Sequence, residues 1–190
     1  MRSLSQITKL SFVAVAALAI ASLPSHANAA STTSNAASVN LTATLNESLS
    51  ISTGSTSAVT FALADGQTVD GNAAVPVTTT YVLLPSRTTV KVYGYFASST
   101  AALTDNYTTP DNIPSSDVLA EGGALNTPTA FSGTNSGFGG ASASLLLDTV
   151  STSGGFVGSK ADSISLEIAT PSSLPAGTYT GVLTFQAQAN

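Results

Sequence analysis

From residue 39 onward, apolar side chains recur at every second position, and no stretch sustains the three-to-four spacing of a helix. Val39, Leu41, Ala43 and Leu45 alternate with Asn40, Thr42 and Thr44, and the same parity resumes at Leu49 and Ile51 after the polar break Asn46-Glu47. Val59, Phe61 and Leu63 form a second set. Val90, Val92, Gly94 and Phe96 alternate with Lys91, Tyr93 and Tyr95. Further sets are Leu145, Leu147 and Thr149; Ile164, Leu166 and Ile168; and Tyr179, Gly181, Leu183, Phe185, Ala187 and Ala189. A period of two sends successive side chains to opposite faces, so each stretch reads as a strand with one buried face. PVTTTYVLL, residues 76–84, is apolar enough at its end for a central strand. Turn chemistry separates them: DGQTVDGN at 65–72, Leu84-Pro85-Ser86-Arg87, and Pro175 with Ala176-Gly177. The expected fold is all-β, an immunoglobulin-like antiparallel sandwich of about seven to nine strands. A closed barrel is the competing architecture.

Residues 98–142 break this rhythm. They are rich in Ser, Thr, Asn, Gly and Pro and are expected to form long loops, with one short strand near Val118-Leu119.

The N-terminal segment is of another kind. MRSLSQITK carries Arg2 and Lys9, residues 10–23 are a small, apolar run, and Pro24 is followed by Ala27-Asn28-Ala29. A basic start, a short apolar core and a small-x-small site read as a secretory signal peptide, 1–29. The run is short of the ~20 residues that cross a bilayer. Residues 30–38, ASTTSNAAS, are expected to be a flexible leader, and 39–190 a single domain. The mature chain is thus expected at the cell surface or outside the cell, by way of a periplasm, with no membrane span.

Loss of residues 1–29 removes the single His and the single Met, and the chain has no Cys and no Trp. Three basic residues, Arg87, Lys91 and Lys160, against ten acidic ones leave a net charge of −7. Such a chain is a poor partner for nucleic acid. Without His or Cys it can assemble no Ser-His-Asp or Cys-His site and no imidazole or thiolate metal site. The acids read as loop and solvent-face residues, so no catalytic residue, cofactor or metal is expected. Asp65-Gly66, Asp70-Gly71-Asn72, Asp105-Asn106 and Asp111-Asn112 read as turns rather than a calcium loop. Gly-rich 132–140 lacks the Lys of a phosphate loop. Tyr93 and Tyr95, two apart on one strand face, are the candidate ligand-binding pair, since exposed rings stack on sugars. With the 98–142 loops they define an alternative function, a monomeric adhesin or carbohydrate-binding module that takes a glycan.

The two ends suggest a different use. An alternating segment near the start and a long alternating strand at the end leave open what pairs with that last strand. An alternating segment can complete a sheet edge by strand addition, with backbone bonds giving affinity and alternate side chains filling pockets. On that reading Val39, Leu41, Ala43 and Leu45 are a donor strand. Tyr179, Gly181, Leu183, Phe185 and Ala187 are the acceptor edge strand. The competing reading makes 39–45 an ordinary first strand paired within its own chain.

ASVNLTATLNESLSIS at 37–52 together with PAGTYTGVLTFQAQAN at 175–190 resembles the donor-strand pilins, and among them the cysteine-free pilins of colonisation-factor fimbriae. Gly177, Tyr179 and Gly181 match the Pro-x-Gly-x-Tyr-x-Gly ending, and Asn46-Glu47 sits at the acidic break. Secreted spore coat protein U domains share a similar ending. The resemblance is limited to the two ends. It implies a fimbrial structural subunit that self-associates into a polymer, and a periplasmic chaperone as partner.

Overall fold

The computed structural model describes residues 33–56, 58–105, 107, 109, 111–134 and 138–190. The expected signal peptide and the first residues of the leader lie outside the described residues. The chain divides into two units at Thr42/Ala43. In the first, residues 33–42 belong to no strand, and Val39 and Leu41 are 82% and 91% exposed.

The second unit is all-β and antiparallel. Its strands are β1 (Ser48–Ser52), β2 (Thr68–Asp70), β3 (Val75–Val82), β4 (Thr89–Tyr95), β5 (Leu103–Thr104), β6 (Asn112–Ile113), β7 (Val118–Gly122), β8 (Leu125–Ala130), β9 (Ser144–Ser151), β10 (Val157–Ala169) and β11 (Thr184–Ala189). One sheet runs β1-β3-β10-β7-β8, with β2 also on β10; a second runs β11-β4-β9; β5 and β6 form a small hairpin. Val75, Val77, Leu166 and Ile168 from the first sheet and Val92, Leu145 and Leu147 from the second share one core cluster with Phe96 and Phe131. Both larger sheets therefore bury one face against the same interior, which is the reason for period-two patterning. The alternating burial of β3, with Val75, Val77, Thr79 and Tyr81 buried and Pro76, Thr78, Thr80 and Val82 turned outward or partly so, is that pattern in its plainest form.

Several expectations are corrected. Residues 98–142 contain the expected short strand at Val118-Leu119, as β7, but also β5, β6, β8 and one 3-10 turn, Ser115–Asp117, where loop was expected. β8 reads LNTPTA, polar and interrupted by Pro128; it lies at the end of its sheet, where a missing N–H is tolerated. Within the expected 65–72 loop lies β2, paired with β10 at Asp70↔Glu167. Conversely, 58–63 alternates in burial as predicted but joins no strand ladder, and neither does 43–47.

Candidate functional site

The second unit contains a cavity of about 760 Å³ walled by residues from two parts of the chain, Thr53 to Leu63 on one side and Gly177 to Phe185 on the other. Val59, Phe61 and Leu63 stand on one wall, and Tyr179, Leu183 and Phe185 on the other; Val75, Val118 and Ile168 are at its base. All six wall residues are half-buried and pack on the core cluster.

The backbone of each wall is anchored on one side only. Thr60 N–H donates to Asn72 Oδ1 (2.9 Å), and Thr60 O accepts from Asn72 N–H (3.0 Å). Neighbouring residues of an extended chain aim their peptide groups oppositely, so those of Val59 and Phe61 face the cavity. Across it, Thr180 exchanges two 2.9 Å bonds with Thr104, which turns the groups of Gly181 and Leu183 toward the cavity. Among the described residues, nothing pairs with the backbone of Val59, Phe61, Gly181 or Leu183. A Cβ on Gly181 would stand 2.0 Å from Ala102 O, so glycine is what lets this wall close on the β5 hairpin.

The walls run in opposite directions. Segment 58–63 turns at Ala64–Gln67 into β2, which is antiparallel to β10. β10 is antiparallel to β3, the Leu84–Arg87 turn reverses β3 into β4, and β4 is antiparallel to β11. At the other end of the same seam, β1 and β11 come together: Leu49, Ala187 and Ala189 pack on Tyr81, Leu83 and Val90. β1 and β11 are each terminal strands of their sheets.

That closed end is tied down by Glu47. Its Oε1 accepts from Leu84 N–H (2.8 Å) and Arg87 Nε (3.2 Å), and its Oε2 from Arg87 Nη2 (3.2 Å). The bond to the Arg87 guanidinium, seconded by the Leu84 amide, holds the Glu47 carboxyl below its ordinary range. Thr88 N–H in turn donates to Asn190 O (2.6 Å).

The predicted residues fall into three groups. Tyr179, Gly181, Leu183 and Phe185 of the acceptor set line the cavity, whereas Ala187 lies further along, in the packed part of the seam. Val39 and Leu41 are exposed in the first unit; Ala43 and Leu45 are exposed in the second, Leu45 by 78%. Tyr93 and Tyr95 do not form the exposed pair that was expected. A bulge between Val92 and Tyr93 and the ring of Phe138, 4.7 Å from that of Tyr93, bury Tyr93. Tyr95 is half-buried, donates to Gln186 Oε1 (3.0 Å) and also lies against Phe138. The cavity wall at 58–63 was legible as an alternating stretch, but nothing in its sequence marks it as lacking a neighbour.

Polar clusters elsewhere have structural partners. Lys160 Nζ sits between Asp162 and Asp148 Oδ2 (3.2 Å), which raises its pKa, chiefly through Asp162. Burial, then Asp70 and Glu121, raise that of Glu167. Asp105 Oδ1 accepts from the N–H groups of Tyr107 (3.2 Å) and Asp111 (3.1 Å). Among the described residues, no group of three or more His, Cys, Asp or Glu could hold a metal ion, and no helix is long and apolar enough to cross a membrane. No family model, no curated protein and no solved structure matches this chain.

Proposed function

We propose that this chain is a secreted structural subunit of a surface fimbria or a similar surface layer, an immunoglobulin-like sandwich assembled by β-strand complementation. The observation that carries the reading is the open seam: an apolar cavity with unpaired backbone on both walls. The occupant is residues 39–45 of a second copy. That segment is alternating, exposed and outside any ladder, and an added strand needs each of those properties. Core-facing residues present their peptide groups to the cavity on both walls, so one strand can bond both only if it runs parallel to one wall and antiparallel to the other. Walls of opposite direction allow this. Val39, Leu41 and Leu45 would each gain about 1.5–3 kcal/mol on full burial. A donor supplied head-to-tail by each copy to the next generates an open polymer. Secretion rests on residues 1–29, and a periplasmic chaperone is the partner that would hold the seam before assembly.

The test uses protein taken from its native surface, run on a denaturing gel with and without boiling. The expected result is a ladder of multimers that collapses on heating, because no cysteine links the chains. Deleting residues 30–46 should abolish the ladder; a deletion variant that still polymerises would refute the reading.

A further inference from the structure

We infer that the short tether between the donor residues and the Glu47 anchor is a ruler that keeps a subunit from filling its own seam; this deepens the strand-complementation reading and rests on it. The matter is decisive for a polymer. A tethered strand able to reach its own groove competes at an effective concentration of about millimolar, so it would outcompete any neighbour.

Two independent counts show the shortfall. The first runs along β1. A return through Asn46 and Glu47 alone would set Leu45 opposite Ser48, Ala43 opposite Ser50 and Leu41 opposite Ser52. Directly opposed residues share a face, and those serines are exposed, so the donor side chains would point to solvent. A return of three residues restores the face, at the cost of the Ser48↔Val82 pairing. Leu45 then lies opposite Leu49 and Val39 opposite Ser55, so the donor reaches only the rim at Thr53 and Thr56 and stops short of Val59, Phe61 and Leu63. The positions that would reach Val59 and Phe61 are Asn35 and Thr33, both polar.

The second count runs along β11. Glu47 is bonded to Arg87, and the next residue, Thr88, to Asn190, so the anchor is level with the end of β11. Residues 46 to 39 span about 23 Å when extended, whereas Gly181 lies about 30 Å from Asn190 at strand rise. The apolar positions would therefore stop near Leu183, at the near end of the cavity and short of Gly181 and Tyr179, while Ala43 and Leu45 would crowd the part of the seam that Leu49, Ala187 and Ala189 already close. A neighbour's donor has no anchor at this end and can enter the cavity directly.

The experiment lengthens the ruler. A flexible Gly-Ser linker of about twelve residues, up to about 40 Å long, is inserted after Asn46 of the mature chain. The readouts are solution mass and uptake of a fluorescent peptide of residues 37–47. The lengthened chain should be monomeric and take up the peptide about a hundredfold less than the chain deleted of residues 30–46. Adding Val39→Ser and Leu41→Ser to the lengthened chain should restore uptake, which a misfolded protein would not do. A lengthened chain that polymerises like the native one overturns the ruler, and so does a monomer that still binds peptide. Should the leader-deleted chain itself refuse the peptide, strand complementation fails, and the ruler with it.

Discussion

The six-stranded and three-stranded sheets meet along two seams, and the two are built differently. At the β8–β9 seam the backbone crosses from sheet to sheet. Ala124 N–H donates to Leu147 O (2.9 Å), and Gly133 and Ser144 exchange bonds of 2.7 and 3.1 Å. Gly123 makes the approach feasible: its φ is +64°, and a Cβ there would lie 2.7 Å from Leu147 O. Fully buried Phe131 fills the space beneath and packs edge-on against Phe96, 5.2 Å away. At the β1–β11 seam only one end is packed, and the other splays into the cavity between 58–63 and 177–185. The contrast shows that the chain can close a seam where it supplies its own bridging residues. In the open seam, among the described residues, the backbone of Val59, Phe61, Gly181 and Leu183 has no partner.

Substitutions can break this comparison in order of size. Phe131→Ala in the closed seam should cost about 3–5 kcal/mol in chemical denaturation, because a large ring leaves a cavity between both sheets. A cost under about 1 kcal/mol would mean that seam is looser than its contacts indicate. The same Leu→Ala change in the two seams gives the next contrast. Leu147→Ala, at a fully buried position, should cost about 2–5 kcal/mol. Leu183→Ala, half-buried on the cavity wall, should cost less than about 2 kcal/mol of monomer stability while weakening uptake of the 37–47 peptide. Equal losses at both sites, with unchanged uptake, would erase the distinction.

Filling the open seam is a gain of similar order. At a hundred times its dissociation constant, the 37–47 peptide should stabilise the leader-deleted chain by about 2.7 kcal/mol, seen as a rise in Tm. No shift would mean that the cavity does not take a strand. The smallest effect is a control on the outer face of the six-stranded sheet. Burial and the neighbouring Asp70 and Glu121 raise the pKa of Glu167. A raised carboxyl contributes stability that is present below the ordinary glutamate range and is lost as pH rises through its folded value. Glu167→Gln should therefore raise stability at neutral pH by less than about 1 kcal/mol and have no effect in acid. It should leave peptide uptake unchanged.

Much of the strand content was legible because burial on one face writes itself directly into period-two patterning. β3, β4 and β9 fall where the apolar pattern placed them, β10 extends the predicted stretch toward its N-terminus, and β11 covers only the second half of the stretch predicted from Tyr179 to Ala189. Where the pattern failed, the cause is specific. β7 lies where one short strand was expected, near Val118-Leu119, but β8 carries Pro128 and polar residues tolerated at the end of a sheet, so it looked like loop. Tyr93 lost its expected exposure to a bulge and to Phe138, 45 residues away in the chain. Of the candidate site, the 177–185 wall could be read from its own alternation. Its counterpart could be read as an apolar face but not as a wall.

The sequence by itself determined which residues face inward and which outward, because that depends on the local period of the chain. It also determined that chemistry based on thiol or imidazole is absent from residues 30–190, since composition alone decides that. Only the tertiary structure decided which strands are neighbours, which seam closes and which stays open. Pairing depends on where distant segments meet: Thr60 with Asn72, Thr180 with Thr104, Glu47 with Arg87. A missing neighbour leaves no mark on the sequence of the strand that lacks it; it becomes visible as unpaired backbone on both sides of a cavity.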